Sequence, residues 1–310
     1  MPLSTNNQLI LAKSEATYGT SSSPANTDAV LVTGDIDVTP LEIELVDREL
    51  KRGFVGNSPQ VVAQRLGRIA FSVEMSTSGT AGTAPRWGTL HKACGFAETI
   101  VASTSVTYSL VSSGFSSATL AFHNDGMAHV FAGCRGTVAM EGTVGERGLF
   151  NYEFMGLYAS PTDTAKPAGN FTLQAPPLVV NSENTPTISI HGFNACLSQF
   201  SFDVANEMFF RQDAGCVQQV QITGRAPTGQ ITIEHPTIAQ KDFYASVTAQ
   251  TAGAIQIVHG TQAGRIMTIN EPTASFGQPS LTDNNGIQYL QLPVMPLPSS
   301  GNDEMTLVLT

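Results

Sequence analysis

The stretch QRLGRIAFSVEM, Gln64 to Met75, decides the fold of this chain. Its apolar residues Ile69, Phe71, Val73 and Met75 alternate with small or polar ones. Strict alternation of this kind is typical of a β-strand that buries one face and exposes the other. We therefore expect a mainly β protein in which this strand lies within a half-buried sheet.

The same stretch opens an order of segments that recurs in the second half. The first-half segments are Gln64 to Met75, Ser117 to Gly126 and Gly145 to Gly156, and their counterparts are Thr223 to Pro236, Gly253 to Gly264 and Asn284 to Val294. His123 aligns with His259 and Gly148 with Gly286, at separations of 136 and 138 residues. A repeat of this length predicts one β module used twice. Tandem use of one module favours an assembly or binding protein over an enzyme.

Charge and composition narrow the function further. Charged residues make up 13% of the chain, about half the usual share, and the net charge is −10. A surface with so few charges indicates that subunit contacts cover part of it. Because both halves are acidic, neither offers the basic stripe that ordinary nucleic-acid recognition requires.

Cysteine usage and the N-terminus indicate the compartment. The four cysteines form no CxxC pair, so we expect free and mostly buried thiols: Cys94, Cys134, Cys196 and Cys216. The N-terminus lacks the basic and long apolar regions of a signal peptide, and no apolar run reaches the length of a membrane span. We expect synthesis in a cytoplasm and no membrane partner.

The chain divides by composition into four parts. Residues 1–35 are predicted to form an extended N-terminal arm with little core, and residues 36–160 the first module. A Pro-rich linker follows at residues 161–186, and residues 187–310 form the second module. Each module is predicted to carry one short helix. In the first, Pro85 stands near the helix start and Gly95 just past its end; in the second, Ala239, Phe243 and Val247 share one face.

Motifs for catalysis or ligand binding are not found. His123 and His129 near Asp125 are better explained as residues flanking a hairpin turn at Asp125-Gly126. The segment Asp283 to Gly286 lacks the distant glutamate of a calcium loop, so it also predicts a tight turn. No phosphate loop, nucleophile elbow or dinucleotide motif occurs. We therefore expect no catalytic, cofactor-binding or metal-binding residues, and no cofactor.

The most charged stretch of the chain, Asp47 to Arg68, is the strongest candidate site. Arginine pairs well with carboxylates at interfaces, and the stretch stands out in a charge-poor chain. A solvated loop with weak local ion pairs is the alternative. We predict a role between subunits for these residues: Asp47, Arg48, Glu49, Lys51, Arg52, Phe54, Arg65 and Arg68.

Several strings resemble the major tail tube proteins of long-tailed bacteriophages. They are AKSEATYGT (Ala12 to Thr20), VTPLEIELVDREL (Val38 to Leu50) and SGTAGTAPRWGTLHKACGFAET (Ser78 to Thr99), with FDVANEMFFRQ, GRAPTGQITIE and PSSGNDEMTLVL in the second half. The resemblance implies β-sandwich or partial-barrel modules, each with a flanking helix. It further implies a structural virion protein whose stacked rings form the tail tube, through which DNA passes into the host. It also implies a long loop that reaches into neighbouring subunits or the next ring, which Leu45 to Leu66 match by position, with Phe209 to Thr223 as its shorter counterpart.

The resemblance also implies partners. The chain would assemble with itself, and with tail terminator and tail-tip proteins, around a lumen holding the tape measure protein or DNA without sequence-specific binding. Two modules per chain predict rings of three subunits with pseudo-sixfold symmetry, and a hexamer is the second choice. A tandem β-sandwich protein that binds a receptor or carbohydrate is the alternative function, and it requires exposed aromatic platforms. The one tryptophan, Trp87, lies instead in a predicted helical apolar stripe.

Overall fold

The structure is a computed structural model that describes residues 4–310, with 51% of the chain in strands and 5% in helix. The strands of the first half are β1 (Gln8–Ser14), β2 (Ala29–Val30), β3 (Thr33–Asp47), β4 (Gln60–Glu74), β5 (Phe96–Val101), β6 (Ser105–Leu110), β7 (Ala118–Asn124), β8 (Met127–Thr143), β9 (Leu149–Leu157) and β10 (Thr162–Asp163). Those of the second half are β11 (Thr187–Ile190), β12 (Phe193–Asn194), β13 (Leu197–Asp203), β14 (Asn206–Arg211), β15 (Gln219–Arg225), β16 (Thr228–Glu234), β17 (Gly253–His259), β18 (Met267–Phe276), β19 (Ser280–Asn284), β20 (Ile287–Pro296) and β21 (Thr306–Leu309). The helices are α1 (Gly88–Ala93) and α2 (Phe243–Thr248), and a 3-10 turn covers Asn26–Asp28.

The same antiparallel strand order occurs twice. In the first module it runs β1-β7-β8-β9-β4-β3, and in the second β11-β17-β18-β20-β16-β13. Helix α1 lies between β4 and β7 in the chain, as α2 lies between β16 and β17. This confirms the predicted mainly β fold of two tandem modules with a short helix each. The sheets are open and do not close into a barrel within the chain.

Two strand pairings join the modules. The second half of β8 pairs with β13, so that Met140 lies opposite Phe202. The C-terminal strand β21 lies between β18 of its own module and β6 of the first, with Leu307 opposite both Ile269 and Tyr108. Buried residues of both halves accordingly belong to one hydrophobic core.

That core follows the alternation read from the sequence. Ile69, Phe71 and Val73 of β4 are buried, as are the partners that β9 places beside them. Trp87, which is 0% exposed, packs there and donates its indole N–H to the carbonyl oxygen of Ser76 at 2.6 Å. Burial with a satisfied N–H is the usual state of a core tryptophan.

Two glycines at equivalent positions leave space for an aromatic ring beside the strand. A β-carbon on Gly67 of β4 would stand 2.2 Å from the ring of Phe131, and one on Gly229 of β16 would stand 2.5 Å from the ring of Phe202. Both distances are far below van der Waals contact, so any larger residue would displace the ring. The repeat thus keeps a glycine at this position, although the ring beside it comes from β8 in the first module and from β13 in the second.

The N-terminal segment differs from the expectation of a core-poor arm. Residues Leu9 to Ala12 are buried, and β1 pairs with β7 along its whole length. Strand β1 takes the place that β11 takes beside β17 in the second module. A short apolar run in a polar segment forms a core strand because its partner lies more than 100 residues away. Residues 1–3 lie outside the described part of the chain.

The predicted helices exist but are shorter than the sequence suggests. Helix α1 begins at Gly88, three residues after Pro85, and ends before Gly95, whose positive φ of 84° permits the reversal. Helix α2 begins at Phe243 after its N-cap Asp242, so Ala239 lies outside it and is exposed. The predicted hairpin turns at Asp125-Gly126 and Asn285-Gly286 are present, each with two positive φ angles.

The cysteines are free, but only half of them are buried. Cys94 and Cys134 lie in the core, while Cys196 and Cys216 are exposed. The expectation of mostly buried thiols is therefore wrong for these two, which fall in a connection and in a hairpin loop of the second half. The apolar character of cysteine does not reveal whether its local segment faces the core.

Candidate assembly interface

One continuous sheet runs through both modules and has two free edges. Its order is β3-β4-β9-β8-β13-β16-β20-β19, and we call it the long sheet. Within residues 4–310, β3 pairs only with β4 and β19 only with β20, so an unpaired edge remains at each end. Free sheet edges present unsatisfied backbone groups and are ready templates for pairing with another chain.

The face of the long sheet that points away from the core is polar and acidic. Its side chains alternate along each strand with the buried ones, and we call it the polar face. Its charged residues are Asp35, Asp37, Arg68, Glu74, Glu141, Glu153, Asp203 and Glu234. Seven of these eight are carboxylates, and one of them, Glu74, is paired with Arg147 at 3.1 Å, so the face carries a net negative charge.

Cross-strand hydrogen bonds hold the side chains of the polar face in place. The Asn151 amide donates to Glu141 at 2.9 Å, and the Ser72 hydroxyl donates to Asn151 at 2.6 Å. Arg68 donates to Glu42 and lies 3.7 Å from Glu153. The partly exposed Arg68 pairs are weak contributors to stability, and they leave most of the carboxylates uncompensated.

The predicted site residues lie on a two-stranded ribbon that projects from the first module. We call it ribbon 1, residues 41–65, formed by the ends of β3 and β4 beyond the sheet and by the loop 48–59. Asp47 ends β3; Arg48, Glu49, Lys51, Arg52 and Phe54 lie in the exposed loop; Arg65 and Arg68 lie in β4. Arg68 stands below the ribbon, in the sheet. Half of the stretch predicted as a charged loop is therefore strand.

These residues form local contacts but no single charged cluster. The guanidinium of Arg52 lies 5.9 Å from the centre of the Phe54 ring, and Asp47 accepts a hydrogen bond from Gln60 at 2.5 Å. Glu42 pairs with Arg68 across the strands and not with Arg48 or Lys51, although these two residues are nearer to it in the sequence. The register of β3 and β4 decides this pairing, and register cannot be read from proximity in sequence.

Ribbon 1 exposes apolar side chains that have no cover in the chain. Phe54 is 68% exposed and Val55 fully exposed at the loop, and the ribbon strands add Ile43, Leu45 and Val62. Apolar groups exposed on two faces of a long ribbon mark a contact surface. Of these apolar residues, Phe54 alone belongs to the site predicted from the sequence.

A second ribbon, formed by β14 and β15, contains Phe209 to Thr223, the segment that the resemblance implies is a shorter counterpart of the loop Leu45 to Leu66. We call it ribbon 2, residues Asn206–Arg225. It folds back over one end of the same face of the first module, beyond Arg68, where Phe210 and Val220 pack against Leu66 and Met155 in a separate apolar cluster. Its apolar alternation is short and irregular, so that its packing on the first module is seen only in the structure.

The titratable core groups do not form a reactive site. Burial lowers the pKa of His91 to about 3, and this imidazole contacts the hydroxyl of Tyr152 at 2.7 Å inside the core. Burial also lowers the pKa values of His123 and His259. Among residues 4–310, no group of three or more His, Cys, Asp or Glu side chains could hold a metal ion. Trp87 is buried and offers no stacking platform for a sugar.

These features define a class: a β-rich structural protein whose surface is built for contacts with further copies. A family model described as phage tail tube protein matches residues 5–307, nearly the whole chain. The chain belongs to the phage tail tube protein family, and it is therefore a structural virion component that self-assembles into a tube. No curated protein sequence matches it. In the described part of the chain, no helix is long and apolar enough to cross a membrane.

Proposed function

We propose that three copies of this chain close into a ring, that rings stack into the tail tube, and that DNA passes through the lumen on its way into the host. The pairing of β8 with β13 carries the proposal, since it joins the end of one module to the start of the next inside a single chain. We call this β8–β13 contact the seam. The two free edges of the long sheet, β3 and β19, are equivalent to the two strands that form it.

The equivalence follows from the strand registers. Tyr152 of β9 lies between Phe71 and Val138, as Leu290 of β20 lies between Ile233 and Leu281. Strand β19 therefore occupies the place of the second half of β8, just as β3 occupies the place of β13. Pairing β19 with β3 of the next copy repeats the seam head to tail, and a repeated head-to-tail contact forms a ring where its rotation closes.

Strand number favours three subunits over six. Each chain supplies eight strands to the long sheet. With strands ~4.8 Å apart and tilted by ~40°, three chains give a barrel roughly 50 Å across. Six chains would give roughly 100 Å by the same geometry. The smaller barrel admits a DNA duplex and matches the pseudo-sixfold ring expected from six modules.

The acidic polar face supports DNA passage. In such a ring the core and both helices lie outside the barrel, so the polar face lines the lumen. Its carboxylates repel phosphates, and a duplex that does not adhere can slide. The tape measure protein would occupy the same lumen before DNA does. Tail terminator and tail-tip proteins would bind the two ends of the tube, where ring faces remain free.

Electron microscopy tests the ring. Purified protein, alone at high concentration and with the tail-tip complex of its phage, is expected to form rings or tubes whose class averages contain three subunits and six similar lobes. Six subunits in a ring would refute the stoichiometry. Protein that stays monomeric under both conditions would refute the ring.

A proline in β19 tests the edge. In a hairpin closed by the two-residue turn Asn285-Gly286, the Leu281 backbone N–H points away from β20. Leu281→Pro removes that outward donor and is expected to abolish rings while the monomer stays folded. Leu281→Thr, which keeps the donor, is the matched control and should assemble. Rings from the proline variant would exclude β19 from the seam.

A further inference from the structure

The two modules of one chain are held together in two layers. The long sheet is the first layer, and the seam joins the modules there. The strands on the other side of the core form the second layer, which we call the outer layer. It runs β2-β1-β7-β8-β10 in the first module and β12-β11-β17-β18-β21 in the second. In the proposed ring, the outer layer lies farther from the lumen than the long sheet.

The first module supplies a hairpin to the outer layer of the second. Strands β5 and β6 continue that layer beyond β21, so that Thr107 of β6 lies opposite Val308 of β21. After the hairpin, the carbonyl oxygen of Val111 accepts a hydrogen bond at 2.9 Å from Arg225 of the second module. The modules are therefore joined at the outer layer as well as at the seam.

A further contact joins the segment between β4 and α1 to the turn between β17 and β18. The buried hydroxyl of Thr77 donates to the carbonyl oxygen of Gly264 at 2.7 Å. A β-carbon on Gly264 would stand 2.8 Å from the carbonyl oxygen of Gly79, so the two backbones approach closely. This contact also lies away from the seam.

The second module lacks the elements that make these contacts. Residues 94–117 connect α1 to β7 and contain the hairpin, whereas only residues 249–252 connect α2 to β17. The segment before the helix is also shorter, with residues 235–242 in place of residues 75–87. Strand β10 pairs with the start of β8, as β21 pairs with the start of β18. Within residues 4–310, however, β10 has no second partner, and both of its residues are exposed.

The joint between copies, formed by β19 and the next copy's β3, therefore repeats the seam without the outer contacts. A strand ladder resists sliding and separation but permits rotation about the strand direction, and a contact away from that axis prevents the rotation. Within the chain, buried residues of both modules share one core, whereas every residue of β19 is exposed. Modules joined by a large apolar interface move together, and those joined by a small one move relative to each other.

We propose that the two modules of one chain form a rigid body, that each joint between copies is a hinge, and that closure of the ring removes the freedom of the hinges. The inference rests on the proposed ring and adds what keeps its lumen at constant width. Three rigid bodies joined in a ring by three hinges form a triangle, whose shape is fixed by its sides. Six modules joined by six hinges would form a hexagon, which flattens without breaking any hinge. The outer contacts inside each chain thus make the closed ring rigid.

Distances between nitroxide spin labels, measured by pulsed electron paramagnetic resonance, test the rigid body first. In a Cys196→Ser, Cys216→Ser background, the remaining cysteines are buried. Lys13→Cys and Gln262→Cys place one label on each module of the same chain, both at exposed positions. Labelled chains diluted with unlabelled ones are expected to give the same narrow distance distribution as monomers and in rings. A broad distribution in the folded monomer would overturn the proposal.

A second pair of labels tests the hinge. In the same background, chains labelled at Thr187→Cys are mixed with chains labelled at Thr164→Cys, which place the labels on the two sides of the joint at exposed positions. Adding Leu281→Pro to the second chain blocks its β19 edge, so that every assembly containing both labels is open. The distribution is expected to be about twofold wider in these open assemblies than in closed rings. Leu281→Thr in the same chain is the control and should give the narrow distribution of closed rings.

The outcomes separate the hinge from the ring. Equal widths in open assemblies and in rings seen by microscopy would overturn the hinge and leave the ring. A sample that forms no rings without Leu281→Pro would overturn the ring and the hinge together, and the first pair of labels would still report whether the chain is rigid.

Discussion

At the scale of single residues, the buried carboxyl of Glu271 stands out in the core. It occupies a core position on β18, is fully buried, and neither of its oxygens has a hydrogen-bond partner in residues 4–310. Burial raises its pKa to about 8. The carboxyl is neutral in the fold near pH 7, while it is ionised in the unfolded chain.

The sign of the pH effect follows from that difference. Between pH 4.5 and 8 the unfolded chain releases a proton that the folded chain keeps, so the free energy of unfolding falls as pH rises. The total loss is about 5 kcal/mol. We expect Glu271→Leu to remove this slope and to raise the urea midpoint more at pH 8 than at pH 5. Glu234→Leu, at an exposed position, is the control; equal gains at both pH values would contradict the assignment.

Arg225 and Arg65 provide a matched comparison at the same scale, because each lies on the second strand of its ribbon, Arg225 in ribbon 2 and Arg65 in ribbon 1. Arg225 lies 2.9 Å from Glu304, both largely buried, and also donates to the carbonyl oxygen of Val111 at 2.9 Å. Removing one member of a buried ion pair costs about 3 kcal/mol, so Arg225→Met should destabilise the monomer by that amount in urea unfolding. Arg65→Met should leave monomer stability unchanged and weaken assembly. Equal destabilisation by both would argue against the different environments of the ribbons.

At the scale of elements, the features that depend on residues adjacent in sequence were predicted correctly. The alternation of Ile69, Phe71 and Val73 and the turn at Asp125-Gly126 depend on adjacent residues, and the structure confirms both. Three features depend on partners that lie farther away in sequence. They are strand β1, the part of β4 that precedes Arg68, and the pairing of β8 with β13. Such pairings are fixed by tertiary packing, which periodicity within one segment does not contain.

The candidate interface shows the same limit. The sequence selected Arg48, Arg52 and Phe54 because charges are rare in this chain, and they do lie at the tip of a projecting ribbon. It did not select Leu281, because an exposed apolar residue in a strand has the same local pattern as a buried one. The repeat allows such residues to be identified, because the strand registers show which surfaces of the two folded modules are equivalent.

At the scale of the whole molecule, the duplicated chain holds two non-identical modules side by side. The first module carries the additional strands β5 and β6 and is contacted by ribbon 2. The proposed ring of three copies would therefore have true threefold symmetry and only approximate sixfold symmetry. Each chain would bring one module-to-module contact already formed, so that a ring of six modules would need three association events instead of six.

The charge of the lumen gives the last prediction. Changing Glu141, Glu153 and Asp203 to lysine reverses three carboxylates of the polar face, none of which lies on β3 or β19. Tubes should still form. The new lysines should attract the phosphates and hold DNA in the lumen, and this DNA should be released as the salt concentration rises. The measurement is nuclease-protected DNA that sediments with tubes assembled in its presence. Lysine at Glu146, Asp163 and Glu183, exposed carboxylates outside the polar face, makes the same change in net charge and is the control. Equal protection by both sets of tubes would mean that the polar face does not line the lumen.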